Sequence, residues 1–227
     1  MDTASLINSE QYPALVIDGS GSSVFAGVLR NDGQWLAHSE QTGAALEMLF
    51  PTVESVLKDA ELSLGDLRSY IYCEGPGSVL GLRLCAMAIE TWSRLYPESA
   101  RTFAYNTLQL CATLLKKDTS LPDLSLIISD WKKGAWNAVY IAEGDIGQTC
   151  VADDPTIAEW QGALYHLPQR KGWQLPPANV ETLNYSPERL PEVMQQPGLL
   201  RPTSGVELYA SGINTFAKWA PDRHRAP

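Results

Sequence analysis

The chain has 227 residues, of which 44% are hydrophobic and 19% charged, and a formal net charge of −9. That length suits one compact unit or two small subdomains with a buried core, and the acidic balance argues against a broad basic face for gripping phosphates. No run approaches the roughly eighteen apolar residues of a membrane span, the opening Met1–Pro13 lacks the basic and apolar regions of a secretory signal, and four scattered cysteines (Cys73, Cys85, Cys111, Cys150) without a Cys-x-x-Cys pair indicate a reducing compartment, by default the cytoplasm.

The first half reads as alternating strands and helices. Ala14 to Ile17 is an apolar run ending at Asp18, followed by the loop Gly19-Ser20-Gly21-Ser22-Ser23. Val24 to Leu29 and Trp35 to His38 are expected to pair across the Asn31-Asp32-Gly33 turn signal. Leu46, Leu49, Phe50, Val53, Val56, Leu57 and Ala60 then fall on one helical face, and Pro51 inside it should kink the helix or mark its first turn, the unbroken apolar phase favouring a kink. Ser69 to Cys73 is the next strand, and Gly75-Pro76-Gly77-Ser78 is a turn whose Ser78 is placed to cap a helix.

That helix, Val79 to Leu95, has two apolar stripes. Leu82, Cys85, Ala86, Ile89 and Trp92 form one; Leu80, Leu84, Met87, Thr91 and Leu95 form the other, with Arg83, Glu90 and Arg94 as a polar seam. A helix apolar on two sides is covered on two sides, either by its own sheet and the preceding helix or by a partner as well. Thr102 to Tyr105 is a further strand and Thr107 to Lys117 a further helix. Near residue 120 the pattern changes to two strands, Leu124 to Ser129 and Ala135 to Ala142, around Asp130-Trp131-Lys132-Lys133-Gly134. The expected division is 1–118 and a smaller 119–227. Seven prolines between Pro168 and Pro202 exclude long helices and central strands there. A short helix is expected near Glu188 to Gln195, and a helical or extended segment from Gly205 to Trp219.

The loop after Asp18 admits two readings. Its glycines would let backbone N–H groups approach phosphate, with Asp18 holding a metal-bound water; alternatively Asp18 caps backbone donors of a plain hairpin loop. The three histidines, His38, His166 and His224, are dispersed, and neither a His-x-x-x-His pair, a Gly-x-Ser-x-Gly elbow nor a Walker lysine motif occurs.

The segment Gly75-Pro76-Gly77-Ser78-Val79-Leu80-Gly81-Leu82-Arg83 resembles the Gly-Pro-Gly-Ser-x-x-Gly-Leu-Arg signature of the TsaB/YeaZ family. Leu15-Val16-Ile17-Asp18, Glu47 to Pro51, Leu62 to Leu67, Asn106-Thr107-Leu108 and Asp130 to Gly134 fall in that family's order. The match is good over 14–110 and thin afterwards. Departures include Gly19 and Gly21 where the family has threonines, Ala45 for a frequent His, and Lys132 for Arg.

The resemblance implies an α/β actin-like (ASKHA) fold of two ribonuclease-H-like subdomains, the second reduced. It also implies a non-catalytic partner of the TsaD-type threonylcarbamoyltransferase in the synthesis of tRNA N6-threonylcarbamoyladenosine. No cofactor, no metal and no direct tRNA binding are expected, and homodimerisation is allowed. Asp18, Gly19, Ser20, Asp130 and Gly134 would form a vestigial nucleotide cleft, and Gly75, Pro76, Gly77, Ser78, Gly81 and Arg83 the signature turn. Leu49, Val53, Leu84, Met87 and Leu95 would face the partner. The competing reading is an actin-like ATPase or sugar-kinase relative using Asp18 and Asp130 around a metal-bound nucleotide. Gly77 is expected at positive φ.

Overall fold

The computed structural model describes residues 7–99, 101–119, 121–168 and 175–210. Most of the segment expected from Gly205 to Trp219 lies outside them, as does His224. In chain order the elements are β1 (Ala14–Asp18), β2 (Ser23–Leu29), β3 (Trp35–Thr42), α1 (Ala45–Asp59), β4 (Ser69–Gly75), α2 (Val79–Leu95), β5 (Arg101–Asn106) and α3 (Thr107–Asp118). There follow β6 (Leu124–Lys132), β7 (Ala135–Ala142), β8 (Asp145–Ile146), β9 (Cys150–Asp153), α4 (Asp154–Ala158), β10 (Ala163–His166), β11 (Glu181–Thr182), a 3₁₀ turn over Pro187–Glu192 and β12 (Leu200–Thr203).

The first sheet has the order β12-β5-β4-β1-β2-β3. Its first three strands in sequence form an antiparallel meander, and β1, β4 and β5 run parallel. All five residues of β1 are buried, as a central strand covered on both faces requires, whereas β3 alternates between half-buried and exposed positions at the sheet edge. One face carries Leu15, Ile17, Tyr70 and Tyr72, which pack with Val56 of α1 and Cys85, Ile89 and Trp92 of α2. Burying Ile89 or Trp92 contributes roughly 2 kcal/mol each. The other face packs Val16, Phe25, Ile71 and Phe103 against Leu110 of α3 and against Leu190, Met194 and Leu200 from the end of the described chain.

The second sheet is ordered β11-β10-β6-β7-β8, with β9 also paired to β7. It is smaller in strand length, and α3 packs between the sheets: Leu110 and Leu114 join the first core, while Leu108 and Cys111 join Ile127 and Val139 of the second.

Two expectations are corrected here. The second unit does not run from 119 to 227, because β12 pairs antiparallel with β5 and so returns the chain to the first sheet. Its Pro202 is tolerated because β12 is an edge strand among the described residues, where a missing N–H breaks no ladder on the outer side. Also, α1 does not bury a single continuous apolar face. Leu49 and Val53, expected to meet a partner, are 1% and 3% exposed and belong to the core, whereas Leu46 and Phe50 are 67% and 57% exposed. The helix starts at Ala45, so Pro51 lies in its interior rather than its first turn.

Candidate functional site: a cleft between two sheets

The strand ends bring the motif residues together. β1 delivers Asp18 to a turn on which the N-terminus of α2 sits directly. A Cβ added at Gly81 would lie 2.0 Å from the Gly19 carbonyl oxygen, and one added at Gly77 would lie 2.5 Å from the Ser20 Cβ. The signature glycines are thus spaces for close backbone approach. Gly77 is not at positive φ as expected; Gly75 is, at 109°. The Ser78 N–H donates to the Ser20 carbonyl at 2.8 Å, and the Ser78 hydroxyl caps α2 by accepting from the Gly81 N–H at 3.4 Å. Arg83 lies on an exposed position of α2.

Asp18 is 2% exposed, and a carboxylate so buried is costly unless its oxygens are met by donors. One oxygen accepts the Ser20 N–H at 2.7 Å. The other accepts the Tyr105 hydroxyl at 2.6 Å and the Tyr185 hydroxyl as well. Burial, and then the Asp18 charge, push both phenols well above their ordinary range, so both remain donors. Beside them the Cys73 Sγ lies 3.1 Å from the Thr107 hydroxyl, and burial holds it as a thiol rather than a thiolate. Asp18 thus caps a backbone donor of its own loop, and two tyrosines that no local motif announces bond to it as well.

Above this floor is a cavity of about 230 Å³, lined among others by Ser20, Ser22, Thr107, Ser129, Asp130 and Tyr185. The structure therefore brings Ser20 and Asp130 to one cavity, with Asp18 beneath it. Gly134 is not part of the lining; it sits at φ 79° in the tight turn between β6 and β7. Asp130 has a different setting from Asp18. One of its carboxylate oxygens is 3.5 Å from Nε2 of the buried His166, and neither atom has a closer hydrogen-bond partner. Burial lowers the His166 pKa and Asp130 offsets this only in part, so the ring is neutral at pH 7. Among the described residues no group of three His, Cys, Asp or Glu side chains is arranged to hold a metal ion.

On the outer side of the first sheet lies an uncovered apolar surface. Met87 and Leu95 of α2 are 64% and 65% exposed. Leu46 and Phe50 of α1 and Val79 and Leu80 of α2 are exposed too, and Leu84 is half-buried. Arg83, Glu90 and Arg94 are exposed on the same helix. Of the five residues expected on a partner surface, Met87 and Leu95 are fully available, Leu84 partly, and Leu49 and Val53 not at all.

A six-stranded sheet, in which an antiparallel meander is extended by two parallel strands and the edge strand β12, faces a smaller second sheet across a cleft in an actin-like α/β fold. Neither a family model nor a curated protein sequence matches the chain. Solved structures do. YeaZ from Pseudomonas aeruginosa superposes with a TM-score of 0.56 at 14% identity, over 76% of this chain and 84% of its own. An uncharacterized protein with similarity to peptidase YeaZ from Pseudomonas aeruginosa gives 0.58 at 16%, over 80% and 89%. The chain has the YeaZ fold.

Proposed function

We propose that this chain is a YeaZ/TsaB-type protein: a non-catalytic, cytoplasmic partner of a TsaD-type threonylcarbamoyltransferase in the synthesis of N6-threonylcarbamoyladenosine on tRNA. The observation that carries the reading is the exposed apolar surface of α1 and α2. Six large apolar side chains, Leu46, Phe50, Val79, Leu80, Met87 and Leu95, stand in water on two adjoining helices. Contiguous apolar surface of this kind is a mark of an interaction site, and charged Arg83, Glu90 and Arg94 supply the polar rim that such sites carry. The non-catalytic part is supported by Asp18, whose oxygens are engaged by donors of the chain itself rather than open to a metal-bound water.

The test is co-expression with the TsaD-like protein of the same organism, followed by size-exclusion chromatography. A complex is expected, and Met87→Glu should weaken it by about 2–4 kcal/mol, since a charge would be desolvated at the centre of the contact. Because Met87 is 64% exposed in the single chain, circular dichroism and melting should stay unchanged. A folded Met87→Glu variant that binds as before would place the interface elsewhere. Neither the wild type nor the variant is expected to turn over ATP with magnesium; turnover would overturn the non-catalytic reading.

A further inference from the structure

We propose that Tyr185 is a latch: its hydroxyl bond to Asp18 holds a strap of chain across the cleft and, through the turn after β1, fixes the N-terminal turn of α2.

The strap runs from β11 to the 3₁₀ turn at Pro187. Its start is anchored to the second sheet, where β11 pairs with β10 and the Leu183 N–H donates to the His166 carbonyl at 2.9 Å. Its end is anchored to the first sheet, where Leu190 is fully buried and the Trp35 indole N–H donates to the Glu188 carbonyl at 2.8 Å. Between these anchors Asn184 and Tyr185 form part of the cavity wall. The Tyr185 ring packs against residues of both cores. Its hydroxyl reaches Asp18, 167 residues earlier in the chain, and lies 3.8 Å from the Cys73 Sγ.

From Asp18 the contacts continue in series. Asp18 accepts the Ser20 N–H, Ser20 in turn accepts the Ser78 N–H, and Ser78 caps α2 at Gly81. The backbone of Gly19 is pressed against Gly81, with no room for a methyl group between them. A turn so closely packed cannot shift without moving the first turn of α2, because packed interiors deform in discrete steps rather than continuously. Val79 and Leu80, two of the exposed apolar residues, lie in that first turn. The latch does not depend on what binds α2.

Amide hydrogen exchange on the full chain tests this. Tyr185→Phe removes one hydroxyl and keeps the ring. Losing a hydrogen bond to a buried charge is expected to speed exchange about 10- to 100-fold at Leu183 in the strap and also at Ser78, Gly81 and Leu82, the amides that are hydrogen-bonded there. The amides of β6 and β7 should keep their wild-type protection. Faster exchange in the strap with the α2 amides unchanged would overturn the coupling, and no change in either would overturn the latch. If Tyr185→Phe does not fold, Asp18→Asn keeps an acceptor oxygen for Ser20 and weakens the phenol bond. It should loosen the same two segments, and loosening of neither would overturn the proposal.

Discussion

Asp18 and Asp130 occupy matching places on the two walls of the cleft, each at or near the end of a strand opposite the other. They are built differently. Asp18 is satisfied by a backbone N–H and two phenols, and through Ser20 it is tied to the cap of α2. Asp130 faces a neutral histidine at 3.5 Å and keeps an oxygen without a hydrogen bond. A carboxylate in a cleft thus says little by itself. What surrounds it decides whether it organises the structure or merely lines a wall, and here only the wall of the first sheet is organised.

The largest effect should come from Gly81→Val on the tight wall. Its added Cβ would meet a backbone oxygen at 2.0 Å, which cannot rotate away, so urea unfolding should show a loss of about 3 kcal/mol or more. Asp18→Ala leaves two phenols and an N–H without their acceptor, and an expected loss of about 2–3 kcal/mol follows. Asp130→Ala removes no hydrogen bond made by the carboxylate and should cost less than about 1 kcal/mol. Equal losses for the two aspartates would break the comparison.

His166 sharpens it through pH. Its folded pKa lies below the unfolded value near 6.5, so the unfolded state binds more protons below that pH. The His166 contribution is therefore complete above pH 6.5 and declines as pH falls towards its lowered folded value. His166→Gln should flatten this part of the slope of the urea midpoint; an unchanged slope would mean that His166 is not the titrating group. The smallest effect is expected from Ser129→Ala. The Ser129 hydroxyl is buried without a hydrogen-bond partner, so its removal should change stability by no more than about 0.5 kcal/mol, in either direction.

The first sheet was largely legible because its signals are local. The apolar run before Asp18, the Asn-Asp-Gly turn and the Ser78 cap each need only a few neighbouring residues, and the structure has all three. The two stripes of α2 were legible as well, since 100° per residue separates Ile89 and Trp92 from Met87 and Leu95. In α1 the same rule gathered too much into one face. Leu46 and Phe50 share the side of the helix that carries buried Leu57, and spacing alone does not reveal that they stay 67% and 57% exposed. The site's floor was not legible. Tyr105 and Tyr185 join Asp18 across 87 and 167 residues, and no spacing rule reaches that far. The prolines correctly excluded a central strand but gave no hint that Pro202 would sit at the edge of the first sheet rather than in the second.

That last strand has a consequence for how the protein is made. Until Leu200–Thr203 leaves the ribosome, β5 has an open edge where β12 will lie, and the core beneath lacks Leu190, Met194 and Leu200. The first sheet therefore cannot finish folding as it emerges; it has to wait until residues 190–203 have followed. An unpaired edge is a template for pairing with neighbouring chains, so a nascent chain stalled before residue 200 is the form of this protein most exposed to aggregation, and the form a chaperone would have most reason to hold.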